Sequence, residues 1–419
     1  MVGGGAREHT LVWKLAQSPK VKEIYAAPGN AGTAQIAQNL DINAGNIEGL
    51  SRAASEKGIN LVVVGPETPL ADGIVDHFNT RGIPIFGPTR QAAQIEASKT
   101  FAKKLMQKYG IPCARSASFS EYSQARDYVK QQTPPLVIKA NGLAAGKGVV
   151  VADSIPQALE ALVNMMELKT LGAAGDKVVI EEFLPGREMS AFAFTDGRTV
   201  VPMVPACDYK RVFDGDQGPN TGGMGGYSPP TFFTPALAQT IRETIMEPTV
   251  KAMAQENRPY SGVLYGGLMI SQDTTKVLEF NARFGDPETQ VTIPRLKTDL
   301  VDILLAVVNG KLDQIEVAWS DEACVGVVMA SGGYPGSYKT DLPITGLDSL
   351  DKDIVVFHAG TKSGSGPDKV LTDGGRVLTV TAMGKTIAAA REKVYNNITR
   401  IRFAGGYYRK DIADVKVES

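Results

Sequence analysis

The sequence predicts an α/β and α+β multidomain protein, with a doubly wound parallel-sheet domain at its N-terminal end and a separate α+β lobe at the other. Three observations lead there. Short apolar runs alternate with helix-spaced apolar residues over the N-terminal quarter, the pattern of a parallel sheet with crossover helices. Apolar strands pair at 136–140 with 149–151 and at 264–270 with 276–280, as in antiparallel hairpins. The 419 residues suffice for roughly two to four domains.

Apolar residues make up 43% of the chain and charged ones 21%, the profile of a soluble globular protein. A net charge of −1 gives no field to attract nucleic acid or an anionic membrane. The longest apolar runs, 61–64 and 303–308, are too short to span a bilayer, and no export signal is evident. Cys113, Cys207 and Cys324 are scattered without a CxxC pair, as expected of idle thiols in a reducing cytoplasm. With His9, His77 and His358 the only histidines, a three-histidine zinc site is improbable.

The chain opens on Gly3-Gly4-Gly5-Ala6-Arg7-Glu8, entering a helix at 10–17 where Leu11, Val12 and Leu15 recur at helical spacing. Free backbone N–H groups at a helix start suit an anion, and Arg7 adds a grip on a phosphate. The dinucleotide fingerprint fails, because Glu8 stands where its third glycine belongs. The strand that should precede these glycines is expected to be absent, through truncation or a mis-called start, or else to be supplied in an unusual way. Asn30, in a Gly-rich loop, and Gly65-Pro66-Glu67 follow apolar runs and can converge with Gly5, Arg7 and Glu8 on one ligand. The same loops also suit plain βα turns.

Ser98 is the expected N-cap of a helix running to about Tyr109, stopped by Gly110 and Pro112. Lys99 in its first turn is misplaced for the helix dipole and hints at an anionic partner. Lys139 ends a strand that meets the small-residue loop 141–148, whose spacing rules out a Walker loop. A glycine hairpin carrying Lys147 can fold over a triphosphate, with Lys139 reaching in, or be a mobile surface hairpin. A strand at 178–184 turns into another at 190–195, and a polar, glycine-rich loop follows at 208–226. Within it Lys210 and Arg211, beside Asp214 and Asp216, favour a substrate-ordering role.

The stretch 277–290, VLEFNARFGDPETQ, carries the densest chemistry. Strand alternation puts Glu279, Asn281 and Arg283 on one face and Leu278 and Phe280 on the other. A carboxylate and an amide two apart are hard oxygen ligands suited to Mg²⁺, and the arginine can hold a phosphoryl group or an acyl phosphate. An edge strand with a solvated polar face is the plainer alternative.

GGGAREH, PGNAGT, VGPE, ASKTFAK, IKANGLAAGKGVVVA, IEEFLPGRE, KRVFDGDQGPNTGGMG, LEFNARFGDPETQ, HAGT and GGRVLTVTA occur in this order. From residue 2 to about 412 the chain thereby resembles the phosphoribosylamine–glycine ligase family of the ATP-grasp superfamily. The resemblance implies an ATP-grasp core at 98–316 with a mobile lid at about 118–187, an N-terminal substrate domain at 1–97 and a C-terminal domain at 317–419. It implies ligation of glycine to 5-phosphoribosylamine, with ATP as co-substrate and Mg²⁺ or Mn²⁺ as cofactor, by a cytoplasmic monomer acting on small molecules. Carried over by position, Glu279 and Asn281 match the metal ligands and Arg283 the arginine near the transferred phosphoryl. Lys99, Lys139 and Lys147, with Gly148, match the phosphate site. Glu181, Glu182 and Leu184 resemble the adenine hinge, and Glu188 matches the acid that holds the ATP ribose in related ligases. Gly5, Arg7, Glu8, Asn30, Gly65 and Glu67 match the phosphoribosylamine site. Asp214, Asn220, Asp286 and Glu288 are expected around the glycine and acyl phosphate, with Lys210 and Arg211 ordering substrate.

Two departures stand out. The strand at 264–270 has no acid to supply a second metal carboxylate, and Ala6 replaces the family's fourth glycine. Two other readings use the same residues: a sibling ATP-grasp carboxylate–amine ligase, and a non-catalytic ATP sensor. The loop at 210–226 argues against the first, and the full set of charges at Lys147, Glu279, Asn281 and Arg283 against the second.

Overall fold

The computed structural model describes residues 1–144, 148–272, 274–366 and 369–414. At the N-terminal end, Val2–Gly3 runs parallel to Tyr25–Pro28, which runs parallel to Gln38–Asn39. Val62–Val63 pairs in parallel with Ile85–Phe86, and a bridge from Val2 to Val64 links the two groups. The expectation that this sheet lacks its first strand is therefore corrected. Two residues are enough because their carbonyls are used on both flanks. Met1 and Gly3 accept from Ala27 and Gly29 at 2.9 and 3.2 Å, and Val2 accepts from Gly65 at 3.0 Å. The helix Ala6–Leu15 follows and buries Leu11, Val12 and Leu15.

The helix Lys99–Tyr109 is built as its sequence requires. The Ser98 hydroxyl accepts from the Phe101 N–H, and Gly110 ends the helix at φ 68°, a left-handed conformation that glycine adopts without strain. Beyond it, the strands Ser116–Phe119, Val178–Glu182, Leu136–Ala140 and Val149–Ala152 lie side by side in that order, each antiparallel to its neighbour. Helices Tyr122–Val129 and Ile155–Leu162 pack Val129, Ala158 and Leu162 against Ile138 and Val178, giving this unit a core of its own.

The central sheet is ordered Val200–Pro202, Arg187–Asp196, Ser261–Ile270, Thr275–Asn281. Its last strand is not a simple alternation. Gly267 pairs with Glu279 and Leu268 with Val277, so Leu278 is a bulge residue without a partner. The bulge shifts the phase, so that Val277 and Phe280, three apart, are both buried. The expected sharing of one face by Leu278 and Phe280 is corrected accordingly. Arg283 lies past the strand's end at Asn281, in the turn rather than on the strand's polar face.

The last hundred residues build an α+β lobe, but not from their own strands alone. Their sheet is ordered Cys207–Asp208, Gly225–Ser228, Ala323–Ala330, Arg376–Gly384, Ile354–His358, so two of its strands come from the middle of the chain. The reason is that Gly225–Ser228 pairs over its whole length with Ala323–Ala330, beginning at Gly225 and Val327. Helix Ile387–Ile398 covers this sheet with Ala390, Val394 and Ile398. No helix among the described residues is long and apolar enough to cross a membrane.

The C-terminal sheet meets the N-terminal domain at two buried histidines. The His358 N–H donates to His9 Nδ1 at 2.9 Å, and the Asn30 amide donates to the His358 carbonyl at 2.7 Å. His9 can accept that bond only as the neutral imidazole. Burial, and secondarily His358, pulls His9 down to about 3; burial takes His358 to about 4. Both sit below the unfolded value near 6.5, so their contribution is complete above that pH and is lost as pH falls toward the folded values, by at most about 1.4 kcal/mol per proton per pH unit. Urea midpoints between pH 7 and 4.5 should fall in the parent. In His9→Gln the slope should be shallower; an unchanged slope would place the titration elsewhere.

Candidate functional site

The centre of the site is the turn after Thr275–Asn281. Phe284 is buried against Phe86 and Phe194, with ring centroids 5.9 and 6.2 Å away. That packing fixes its carbonyl, which accepts from Arg7 Nη1 at 3.2 Å and from Arg283 Nη1 at 3.3 Å. Arg283 is further gripped by two carboxylates from outside its strand. Its Nε donates to Glu67 at 3.1 Å, and its Nη2 lies 3.3 Å from Glu96. The other oxygen of Glu96 accepts from the Ala282 N–H at 2.7 Å. Burial pulls the guanidinium down, but Glu96 and Glu67 more than offset it and hold it above its ordinary range. Burial pushes Glu96 up against Arg283's pull, whereas at Glu67 Arg283 and Arg7 overcome burial and hold the carboxyl low.

The N-terminal loops close around Glu8, which is 2% exposed. One of its oxygens accepts from the Gly5 N–H and the other from Arg7 Nε, both at 2.6 Å. Gly65 must be glycine, because a Cβ there would overlap the Glu8 carboxylate. Asn30 donates to the Gly4 carbonyl and accepts from the N–H groups of Gly32 and Thr33. Gly5, Arg7, Glu8, Asn30, Gly65 and Glu67 are thus brought together as expected, although Asn30 is occupied in holding the loops to one another.

On the opposite side lie the lysines. Lys99 Nζ donates to the Gly142 carbonyl at 3.3 Å. Lys139 Nζ donates to the bulged carbonyl of Leu278 at 2.9 Å and lies 3.1 Å from Glu181. Gly148 closes the loop through its carbonyl, which accepts from the Ala140 N–H at 2.8 Å. Lys147 lies outside the described residues. Glu182 accepts from Arg115 Nε at 2.7 Å and Lys276 at 3.2 Å. Glu182 and Leu184, with Phe183, Met269, Thr274 and Lys276, line a cavity of about 230 Å³. Glu279 has no hydrogen-bond or ion-pair partner among the described residues, and its charge bears on Lys99. The Asn281 amide oxygen makes one long contact, 3.3 Å from Arg283 Nη2. A carboxylate left free beside lysines, with an amide oxygen next to it, fits a hard divalent cation that takes further ligands from phosphate and water. No cluster of three His, Cys, Asp or Glu suited to a metal occurs among the described residues.

Between these halves, Lys210 Nζ bridges Glu188 and Asp208 at 2.5 and 2.9 Å. Glu288, fully enclosed, accepts from Tyr265 at 2.5 Å and Ser190 at 3.0 Å, and burial pushes its carboxyl up. Arg211, Asp214 and Asn220 stand apart on an exposed hairpin, Arg211–Phe213 against Gln217–Asn220. Its partners are in the 409–411 segment: Arg409 donates to Asp216 at 2.8 Å, and the Lys410 N–H to Asp214 at 2.8 Å. The hairpin's base does reach the site. Gly223, at φ 110°, lies flat against Pro287, and the Gly222 carbonyl accepts from Arg376 Nη1 at 2.5 Å. Arg376 also holds Asp286 at 2.9 Å. Burial would raise Asp286, yet Arg376, Arg7 and Arg283 keep it below its usual value.

Glu96 and Arg376 contact the turn, and neither is among the positions that the sequence singles out. Glu96 stands just before ASKTFAK, and Arg376 opens VLTVTA after two glycines. Glu96 has no local pattern around it, and the stretch GGRVLTVTA that contains Arg376 gives no sign of its role, because each residue acts on a turn far away in the chain.

Residues 1–96, 97–289 and 324–415 match, in turn, the N domain, the ATP-grasp (A) domain and the C domain of phosphoribosylglycinamide synthetase. Over 413 residues the chain is 49% identical to the phosphoribosylamine–glycine ligase of Halalkalibacterium halodurans, covering 98% of this chain and 95% of that protein. It resembles the crystal structure of the phosphoribosylamine–glycine ligase of Thermotoga maritima with a TM-score of 0.86, at 34% identity and with 98% of each chain covered. At 16% identity, the biotin carboxylase domain of a Hydrogenobacter thermophilus 2-oxoglutarate carboxylase shares the fold alone, with a TM-score of 0.74 over 99% of this chain and 94% of that one.

Arg283 and Glu96 should behave as one unit. Arg283→Met leaves Glu96 without its cation and Glu67 with only Arg7 nearby, and is expected to cost about 2–4 kcal/mol in urea unfolding, less than breaking a completely buried pair because Glu67 is partly solvated. Adding Glu96→Gln should recover about half of that, and strictly additive effects would dissolve the pair.

Proposed function

The chain belongs to the phosphoribosylglycinamide synthetase family, and from that premise we propose how its residues carry the family's reaction, the ATP-dependent joining of glycine to 5-phosphoribosylamine in purine biosynthesis. It is an ATP-dependent carbon–nitrogen ligase on an ATP-grasp fold. A glycine carboxylate oxygen attacks the γ-phosphorus, ADP leaves, and glycyl phosphate forms. The amine of phosphoribosylamine then attacks the acyl carbon, phosphate departs, and the amine gives up a proton, leaving glycinamide ribonucleotide. No protein nucleophile takes part, so the chain contributes positioning and charge neutralisation.

In this reading Lys99, Lys139 and Lys147, with Gly148, hold the phosphates. The cavity at Glu182–Leu184 takes the adenine, with Glu181 behind it and Glu188 at the ribose. Glu279 and Asn281 hold a Mg²⁺ or Mn²⁺ ion, which would neutralise phosphate charge. Arg283, kept charged by Glu67 and Glu96, faces the transferred phosphoryl. Asp286 and Glu288, on the next turn, lie toward glycine, with Lys210 ordering that side and Arg211, Asp214 and Asn220 on the hairpin above it. Gly5, Arg7, Glu8, Asn30, Gly65 and Glu67 form the phosphoribosylamine side. We place the functional divisions at 1–97, 98–316, with a lid at about 118–187, and 317–419, in a cytoplasmic monomer that needs neither nucleic acid nor membrane. The observation that carries the reading is the convergence on one segment, 279–288: Arg7 from the N-terminal loops and Arg376 from the C-terminal sheet both contact it, and its own Glu279 acts on Lys99.

Phosphate release from Mg-ATP with glycine, run with and without freshly generated phosphoribosylamine, tests it. Release is expected to require both substrates and to yield glycinamide ribonucleotide; a different acceptor requirement would overturn the assignment. Glu279→Ala should lower kcat by about a thousandfold or more while KM for ATP stays within about threefold, since the hinge and lysines remain. Normal turnover in that variant would remove the metal role.

A further inference from the structure

Lys103 is used by none of the roles above, yet it is 3% exposed and sits at the heart of the lysine cluster. It lies one helical turn beyond Lys99 in Lys99–Tyr109, on the same side of the helix. Its ammonium is 3.1 Å from one oxygen of Glu181, and Lys139 is 3.1 Å from the other. The Lys103 contact is close but off hydrogen-bond geometry, so neither Lys103 Nζ nor that Glu181 oxygen has a well-formed bond. Two buried ammonium groups therefore share one buried carboxylate, leaving one positive charge in excess. Burial pulls Lys103 down, with Glu181 opposing it and Lys139 adding to it. A carboxylate facing Lys139 alone would bind it in a closed pair and compete with any phosphate for it. Lys103 on the far oxygen divides that attraction.

We propose that Lys103 is a positioning residue for the nucleotide: by neutralising Glu181 it leaves Lys139 available to the ATP phosphates. This rests on the reading of Lys139 as a phosphate ligand. On ATP binding, Lys139 would exchange its Glu181 and Leu278 contacts for a phosphate oxygen, and Lys103 would keep Glu181 paired. The effect falls chiefly on the phosphates, because neither Lys103 nor Glu181 lines the cavity assigned to the base.

Calorimetric titration of the full chain with Mg-ATP and, separately, with adenosine tests this. Lys103→Met should weaken ATP by about tenfold or more and adenosine by less than about twofold. In a Glu181→Gln background, with no carboxylate to neutralise, Lys103→Met should change ATP affinity by less than about twofold. Equal losses for ATP and adenosine, or the same loss in the Glu181→Gln background, would make Lys103 a packing residue and overturn the proposal. Should Lys103→Met alone fail to fold, comparing Glu181→Gln with Lys103→Met/Glu181→Gln decides the matter. Lys139→Met is the control: if it leaves ATP binding unchanged, the phosphate assignment of Lys139 falls, and this inference with it. If it weakens ATP while Lys103→Met does not, only the inference falls.

Discussion

Everything in the site depends on keeping one arginine charged and still in a place that water barely reaches. Arg283 leans on two chain neighbours, the Asn281 amide oxygen and the Phe284 carbonyl, and that carbonyl is held by the Phe284 ring packed between Phe86 and Phe194. The remaining grip comes from Glu67 and Glu96, which belong to the N-terminal domain and to the short helix leading out of it. A guanidinium matches two carboxylates and a carbonyl in one plane, which a lysine could not do. Domain packing and site electrostatics are therefore one constraint. The turn is rigid because the domains are docked, and the domains dock on the turn.

Much of this was legible in the sequence where the signal is local. Ser98 and Gly110 bracket their helix as capping chemistry requires, and the alternating and buried-type runs found strands of the sheet at 136–182 and of the central sheet. The glycine loops also converge as their positions after strands suggested. What escaped is what depends on distance or on very few residues. A two-residue strand such as Val2–Gly3 has no period to detect; it exists because both of its flanks are occupied. The bulge at Leu278 costs the strand one unit of register, which composition cannot reveal, and it turns a carbonyl toward Lys139.

Glu96 and Arg376 show the same limit from the side of function. Glu96 lies outside the quoted family stretches and Arg376 inside one, GGRVLTVTA, yet neither context reveals a role, and each reaches the site through a contact across 186 or 90 positions. Family likeness could point to Glu279, Asn281 and Arg283 because they share a short motif. It gave no handle on the residues that hold that motif in place, whose roles come from packing.

The shared sheet at the C-terminal end has a consequence for how the chain can be divided. Cys207–Asp208 and Gly225–Ser228 lie on either side of the exposed hairpin 211–220, yet they pair with each other, and the second pairs with Ala323–Ala330. A single protease cut in that hairpin would sever the backbone without severing the fold. The two pieces would stay together through strand pairing and migrate as one particle until denatured. By the same token, a fragment that starts after residue 316 would carry three strands of a five-stranded sheet and expose the edge of Ala323–Ala330. The hydrogen-bond ladder thus crosses the boundary between the second and third of the matched domains.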